Sequence, residues 1–151
     1  MPITIRPATA ADVPALFSLV KELALYECAP DAVHNSEAQM LEEGFGAIPY
    51  FNAIVAEDKD TKEVIGMTLY HWAYSTWKGK YIYLDDFYVR ENKRGQGIGK
   101  RLMDAFLLEA KTLGAHGAKW QVLDWNTSAI DFYKKYEVVF DAEWLNCWMS
   151  F

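Results

Sequence analysis

The chain has 151 residues, enough for one domain with a sizeable core, and its 52% hydrophobic and 15% aromatic content fits a globular protein, not a disordered one. A formal net charge of −6 argues against nucleic acid as a partner and suits a cationic small substrate, although acidic soluble proteins are common. Cys28 and Cys147 are too few for a disulfide framework, and His34, His71 and His116 have no metal-ligand spacing. No signal peptide, long apolar span or lipidation motif is evident, so no metal and no membrane are expected, and the expected location is cytoplasmic.

In chain order, residues 3–6 read as a short strand. Thr9 and Asp12 have capping-box spacing, and Pro14 falls in the first turn, where a missing N–H costs nothing. Val13, Leu16, Phe17, Val20, Leu23 and Ala24 recur at helical spacing as far as Tyr26-Glu27, and Pro30 closes that helix. Ser36, with Gln39 three residues on, starts a second helix that runs to Gly44-Phe45-Gly46. Two strands follow at 51–57 and 63–74, joined by a turn at 58–62, the second broken by Gly66. Trp77-Lys78-Gly79-Lys80 turns the chain into 81–89, where dense aromatic and β-branched residues predict a strand covered on both faces. From Ile98 the period changes, and Ile98, Leu102, Ala105, Phe106 and Leu113 share one helical face. Gly114 and Gly117 mark a loop, 119–125 a strand, and 129–136 a helix begun at Asn126-Thr127-Ser128. Residues 138–151 alternate enough for one or two final strands. With no repeat or linker, one domain over 1–151 is expected: an α/β (α+β) fold with a mixed, mostly antiparallel sheet flanked by helices.

Between the strand at 81–89 and the helix from Ile98 lies Arg94-Gly95-Gln96-Gly97-Ile98-Gly99-Lys100. Alternate glycines let a backbone approach a ligand with no Cβ in the way, and the first amides of a helix are unpaired donors suited to a phosphate. The dinucleotide fingerprint needs G-x-G-x-x-G and a Walker loop needs Gly-Lys-Ser/Thr; neither spacing fits, because the series here is G-x-G-x-G and Lys100 precedes Arg101. A lone G-x-G would read as a turn that only lets a helix pack closely. The addition of Arg94 and a third alternating glycine is more specific.

Arg94-x-x-Gly97-x-Gly99 at a strand-to-helix junction resembles the acetyl-CoA pyrophosphate loop of the GNAT superfamily of N-acetyltransferases. The segments Ile5-Arg6-Pro7-Ala8-Thr9-Ala10-Ala11-Asp12, Tyr26-Glu27, Glu43-Gly44-Phe45-Gly46, Tyr83-Leu84-Asp85-Asp86-Phe87 and Trp125-Asn126 with Phe132-Tyr133-Lys134 look like the diamine (spermidine/spermine) acetyltransferase branch, up to about Tyr136. The resemblance implies acetyl transfer from acetyl-CoA to a primary amine of a small polycation: a diamine, a polyamine or a thialysine-like amino acid. A peptide amine is the next substrate to weigh, and a non-catalytic acyl-CoA-binding regulator is the other class.

An alkylammonium has a pKa of roughly 10.4, so the amine must lose a proton before attacking a thioester, and the leaving thiolate needs a donor. The resemblance makes Tyr133 that donor, although it could also be core beside Phe132. Asp85 and Asp86 sit in an apolar strand whose alternation predicts opposite faces; burying both unpaired is costly, so at least one should meet a cation. Asp85 is the expected proton acceptor, directly or through water. Tyr26, Glu27, Asp85, Asp86 and Glu143 are candidate amine contacts, though each acid could equally be satisfied locally. The resemblance further implies that Phe87, Tyr88 and Val89 pair with the pantetheine amides. Arg94, Gly95, Gln96, Gly97, Ile98, Gly99 and Lys100 would hold the diphosphate, and Asn126, Ser128 and Ala129 would meet the cofactor arm, although Asn126 also reads as a plain N-cap. It also implies a homodimer with paired or exchanged C-terminal strands. There are departures: Asp85 replaces the branch's glutamate, Glu137 stands where a helix-ending glycine is usual, and the C-terminal segment is shorter.

Overall fold

A computed structural model describes residues 2–151, which fall into two units, one extending to residue 121 and one covering 122–151. In the first, β1 (Ile3–Pro7), β2 (Asn52–Asp58), β3 (Val64–Ser75) and β4 (Gly79–Val89) form an antiparallel sheet in chain order. A two-residue β5 (Ala118–Lys119) adds in parallel beside β4. Helices α1 (Val13–Tyr26) and α2 (Glu37–Phe45) share a core with Val55, Met67, Leu69 and Tyr88. Helix α3 (Ile98–Thr112) meets the other face: the Phe106 ring lies 5.2 Å from Tyr70, which neighbours Leu69 and so points the opposite way. The buried stripe of α3 is Ile98, Leu102, Met103, Phe106 and Ala110, whereas Leu113 lies past the helix end and is exposed.

The expected caps form. Asp12 accepts from the Thr9 amide at 2.7 Å and Ser36 from the Gln39 amide at 3.1 Å. Asp12 also takes both ends of the Arg6 guanidinium, which reaches Glu57 on β2 at 2.6 Å and holds the Asp12 carboxyl below its usual range. Helix α1 ends in a Schellman motif: the Ala29 amide bonds the Ala24 carbonyl at 2.8 Å and the Cys28 amide bonds the Leu25 carbonyl at 3.1 Å. Cys28 occupies the left-handed position at φ 61°, where glycine is usual. Gly66 does not break β3. The strand runs through it with a shift of register against β2, and a Cβ there would stand 3.0 Å from Leu102 Cδ1 and 3.1 Å from the Tyr88 carbonyl. The glycine lets α3 lie close on the sheet.

The second unit contains α4 (Thr127–Tyr133), whose N-cap Asn126 accepts from the Ala129 amide at 3.3 Å. The helix stops short of 136. Its end closes with bonds from the Lys135 and Tyr136 amides to the Phe132 and Tyr133 carbonyls, so Glu137 never needs the left-handed backbone that a glycine would supply. Two expected strands are absent: 119–125 contributes only Lys119 to the sheet, and no strand forms over 138–151. Alternation of apolar residues does not by itself make a strand, and Val139, Leu145, Trp148 and Met149 stand exposed. No described helix is long and apolar enough to cross a membrane.

Gly66→Val should lower stability by about 1–3 kcal/mol by forcing α3 off the sheet. A urea midpoint equal to wild type would contradict this account of the glycine.

Candidate active site

Strand β4 is not covered on both faces along its length. Beyond Tyr70 on β3 and before Tyr88 on β4, alternate residues on the α1 side are only partly buried: His71, Tyr81, Tyr83 and Asp86, with Asp85 exposed. This is the stretch past the C-terminal end of α1. The sheet therefore has an open floor there while α3 still covers its other side through Ile82 and Leu84.

The register of β3 and β4 explains how two adjacent carboxylates reach that floor. Leu69 pairs with Asp86, Tyr70 with Leu84 and His71 with Tyr83, leaving Asp85 as the extra residue of a β-bulge. Asp86 follows Leu69 to the α1 face. Tyr83 follows His71 to the same face, and Asp85, two residues from Tyr83, does likewise. Strict alternation, which predicts opposite faces, fails at this bulge. The electrostatics agree: burial first, then the charges of Asp85 and Glu27, push the Asp86 carboxyl up to about 7. Burial raises the Glu27 carboxyl as well, and burial followed by Asp85 and Tyr81 raises the Tyr83 phenol. Glu27 is the C-cap of α1, half-buried beside Tyr26. The structure thus brings Tyr26, Glu27, Asp85 and Asp86 to one side of the sheet. It adds His71 and Tyr83, whose rings lie 5.4 Å apart, tilted by 32°. Tyr83 was available to alternation from Asp85; His71 needed the strand register.

The glycine loop lies at the far end of the same strand. Gly95 and Gly97 both take φ +75°, and nothing comes within 4 Å of where a Cβ would sit on either. Gly97 is the N-cap of α3 and offers no side chain, so the first-turn amides after Gly97 keep the open donors of a helix start. A cradle that a Cβ would fill, lined by amides, fits a diphosphate. Gln96 is exposed, Ile98 is buried as the first core residue of α3, and Lys100 pairs with Asp104 at 2.5 Å. Phe87, Tyr88 and Val89 pair with Thr68, Met67 and Gly66 of β3, while the β4–β5 ladder ends at Tyr83. The Arg94 guanidinium lies over two rings, 4.8 Å from Tyr26 and 5.2 Å from Tyr88, and its Nε donates to the Val89 carbonyl at 2.9 Å.

In the second unit Tyr133 is 6% exposed and Phe132 half-buried, so Tyr133 is the more buried of the two. Phe132 packs edge-on to Tyr133 at 5.7 Å and against Tyr136 at 5.6 Å. Ser128 and Ala129 open α4, and Glu143 lies on the exposed segment with its amide bonded to Asp141 at 2.9 Å. Among the described residues no cluster of His, Cys, Asp or Glu is arranged to hold a metal ion. A recess of about 390 Å³ lies at the opposite end of α1, lined by Ala10, Ala11, Val13, Pro14, Ala38 and Leu41, with Glu37 its only ionisable group. It lacks the functional groups for chemistry.

Residues 19–137 match the family model described as acetyltransferase (GNAT) family. The bovine thialysine N-epsilon-acetyltransferase is 39% identical over 138 residues, covering 87% of this chain and 81% of that protein. The human spermidine/spermine N(1)-acetyltransferase-like protein 1 is 35% identical over 134 residues, covering 85% of this chain but 19% of that longer protein. Among solved structures, an aminoglycoside acetyltransferase from an uncultured soil metagenomic sample superposes with a TM-score of 0.79 at 17% identity, covering 99% of this chain and 96% of the other. That likeness bears out the expected sheet-and-helix architecture.

Asp86 gives the site a stability signature. Its carboxyl titrates near 7 in the fold against about 3.9 in an unfolded chain, so between those values the native state holds a proton that the unfolded state has released. Stability conferred by the neutral form is complete below pH 4 and is lost as pH rises through 7. Asp86→Asn should therefore match wild type at pH 4 and exceed it at pH 8 by about 2 kcal/mol, roughly half of what ~1.4 kcal/mol per unit gives for a group sealed from water. Urea unfolding at pH 4, 6 and 8 reads the difference, and a constant gap across that range would refute it.

Proposed function

Because the chain belongs to the acetyltransferase (GNAT) family, we propose that it moves the acetyl group of acetyl-CoA onto a primary amine of a small polycation: a diamine, a polyamine or a thialysine-like amino acid. The observation that carries this reading is the convergence of Glu27, Asp85 and Asp86 on one open floor, next to a strand that leads into an amide-lined glycine cradle. Three carboxylates with no lysine or arginine paired to Asp85 or Asp86 in the described contacts suit an ammonium ion, and a longer polycation can meet more than one of them.

Acetyl-CoA supplies an activated thioester carbonyl. The amides around Gly95 to Lys100 hold its diphosphate, and the extended backbone of Phe87, Tyr88 and Val89 aligns the pantetheine arm, with one N–H available to a developing oxyanion. Asn126, Ser128 and Ala129 serve the same arm. Asp85 accepts the ammonium proton, directly or through one water, since aspartate is a methylene shorter than the glutamate of similar enzymes. Asp86, Glu27, Tyr26 and Glu143 hold and orient the amine. Tyr133 donates a proton to the departing thiolate, a role that suits a buried phenol. The single domain acts in the cytoplasm, without nucleic acid, as a homodimer joined through residues 138–151, whose apolar side chains are otherwise exposed. A monomer in sedimentation at micromolar concentration would remove the dimer from this reading.

Thiol release should be seen with one or more of putrescine, spermidine, spermine and thialysine, and more weakly with lysine peptides. Heat of acetyl-CoA binding without release for any amine would identify a non-catalytic regulator, and a preference for peptides the alternative substrate class. Tyr133→Phe should keep acetyl-CoA affinity by calorimetry while turnover falls about 10²–10³-fold. Unchanged turnover would exclude Tyr133 as the acid.

A further inference from the structure

We infer that Arg94 is a positioning residue, a clamp between two rings that couples the glycine loop to the end of α1, where Tyr26 and Glu27 face the amine. The inference deepens the function proposed above and rests on it for the identities of the two ligands. Arg94 immediately precedes Gly95, so its backbone belongs to the cradle. Its side chain does not reach outward as a free charge. The guanidinium lies 4.8 Å from the Tyr26 ring and 5.2 Å from the Tyr88 ring, and Nε is anchored to the Val89 carbonyl at 2.9 Å. A guanidinium can lie over two rings while its Nε keeps a directed hydrogen bond, a combination that a lysine ammonium matches poorly.

The connection runs through few parts. Tyr26 is the last residue of α1, and Glu27 follows it as the C-cap. The charge of Glu27 reaches Asp86 on β4. Tyr88 and Val89 lie two and three residues beyond Asp86 on the same strand. Arg94 therefore touches the loop, the strand and the helix end together. Gly95 and Gly97 carry no side chain that could pack against a neighbour, and open space surrounds the place where a Cβ would sit, so the clamp is the loop's side-chain anchor. A diphosphate gripped by the loop amides fixes the Arg94 backbone, and the ordering already done for the clamp then need not be repeated when an amine arrives. Linkage makes the effect reciprocal. The cofactor tightens the amine site, and the amine tightens the loop.

Hydrogen exchange on the full chain, with and without acetyl-CoA, reads this coupling without any turnover. The amides of Glu27, Cys28 and Ala29 are bonded to the Leu23, Leu25 and Ala24 carbonyls, so their exchange reports opening of the helix end. In wild type, saturating acetyl-CoA should slow exchange over residues 23–30 by about tenfold, within the usual range of coupling between sites. In Arg94→Gln, slowing should persist over the glycine loop but fall to about twofold or less over 23–30. Tyr26→Leu removes one ring and leaves the guanidinium, so it gives an independent reading if the first variant folds poorly. It should produce the same loss, and the double variant no more than either alone. With an amine that wild type acetylates, both variants should raise the amine KM more than they lower kcat. Undiminished protection of 23–30 in the single variants, no protection there in cofactor-bound wild type, or additive losses in the double variant would overturn the clamp and leave the amine reading intact. Clamp-dependent protection with no amine acetylated would instead remove the amine reading and keep the clamp.

Discussion

One extra residue in β4 decides which way two neighbouring carboxylates face. Without the bulge at Asp85, alternation would send one of the two adjacent carboxylates toward α3, among Tyr70, Leu102 and Phe106, where an ion has no water and no partner. The bulge turns both to the partly open side instead. The result is a local concentration of like charge that the fold does not neutralise: Asp85 and Glu27 both oppose ionisation of Asp86. Asp85 is exposed and Asp86 only partly buried, and a cation brought to such a group of carboxylates relieves their mutual repulsion. The −6 net charge of the whole chain adds a weaker, longer-ranged attraction for the same ligand, one that salt would screen.

The helix that supplies Glu27 is held at two points by arginines that each bridge two acids. Arg6 ties the N-terminal cap of α1 at Asp12 to Glu57 on β2, and Arg90, just past β4, ties Glu22 near the other end to Glu63 beside β3. Single exposed ion pairs contribute little, about 0–1 kcal/mol each. Bridged pairs on partly buried guanidinium groups set position more than stability, and here they fix both the height and the direction of α1 over the sheet. The last turn is under a small strain, with Cys28 in a left-handed conformation that costs a side chain about 1–2 kcal/mol. A glycine would relieve it, so the residue chosen for that position is not the one that best ends a helix.

Much of this was legible in the residues themselves. Helical spacing located α1, α2 and α3 closely, the turn chemistry at 58–62 located the β2–β3 connection, and three alternate glycines marked the cradle. What escaped prediction depends on pairing, not on local pattern. The bulge is a property of how β4 registers on β3, so neither the shared face of Asp85 and Asp86 nor the company of His71 could be read from one strand. Gly66 reads as a strand breaker until the approach of α3 is known. The alternation at 138–151 has the right period for strands, yet a period alone does not supply the ladder partner that a strand needs. Arg94 illustrates a subtler limit: its position in a phosphate-binding pattern suggests a free charge, while the aromatic rings that occupy it come from residues 26 and 88.

The titration of Asp86 also fixes how the cleft must behave when filled. Burial and like charge raise the Asp86 carboxyl, which makes its anion a stronger base than an ordinary aspartate. An ammonium brought alongside Asp85 and Glu27 cancels the like charge that raised it, and a nearby cation favours the ionised carboxyl directly. On the proposed reading a polycation held there would favour release of the Asp86 proton and so meet more negative charge. On the proposed reading a monocation compensates less of that charge than a dication of similar length, so discrimination between amines would begin at the protonation of one partly buried aspartate, before any contact specific to the shape of the substrate is made.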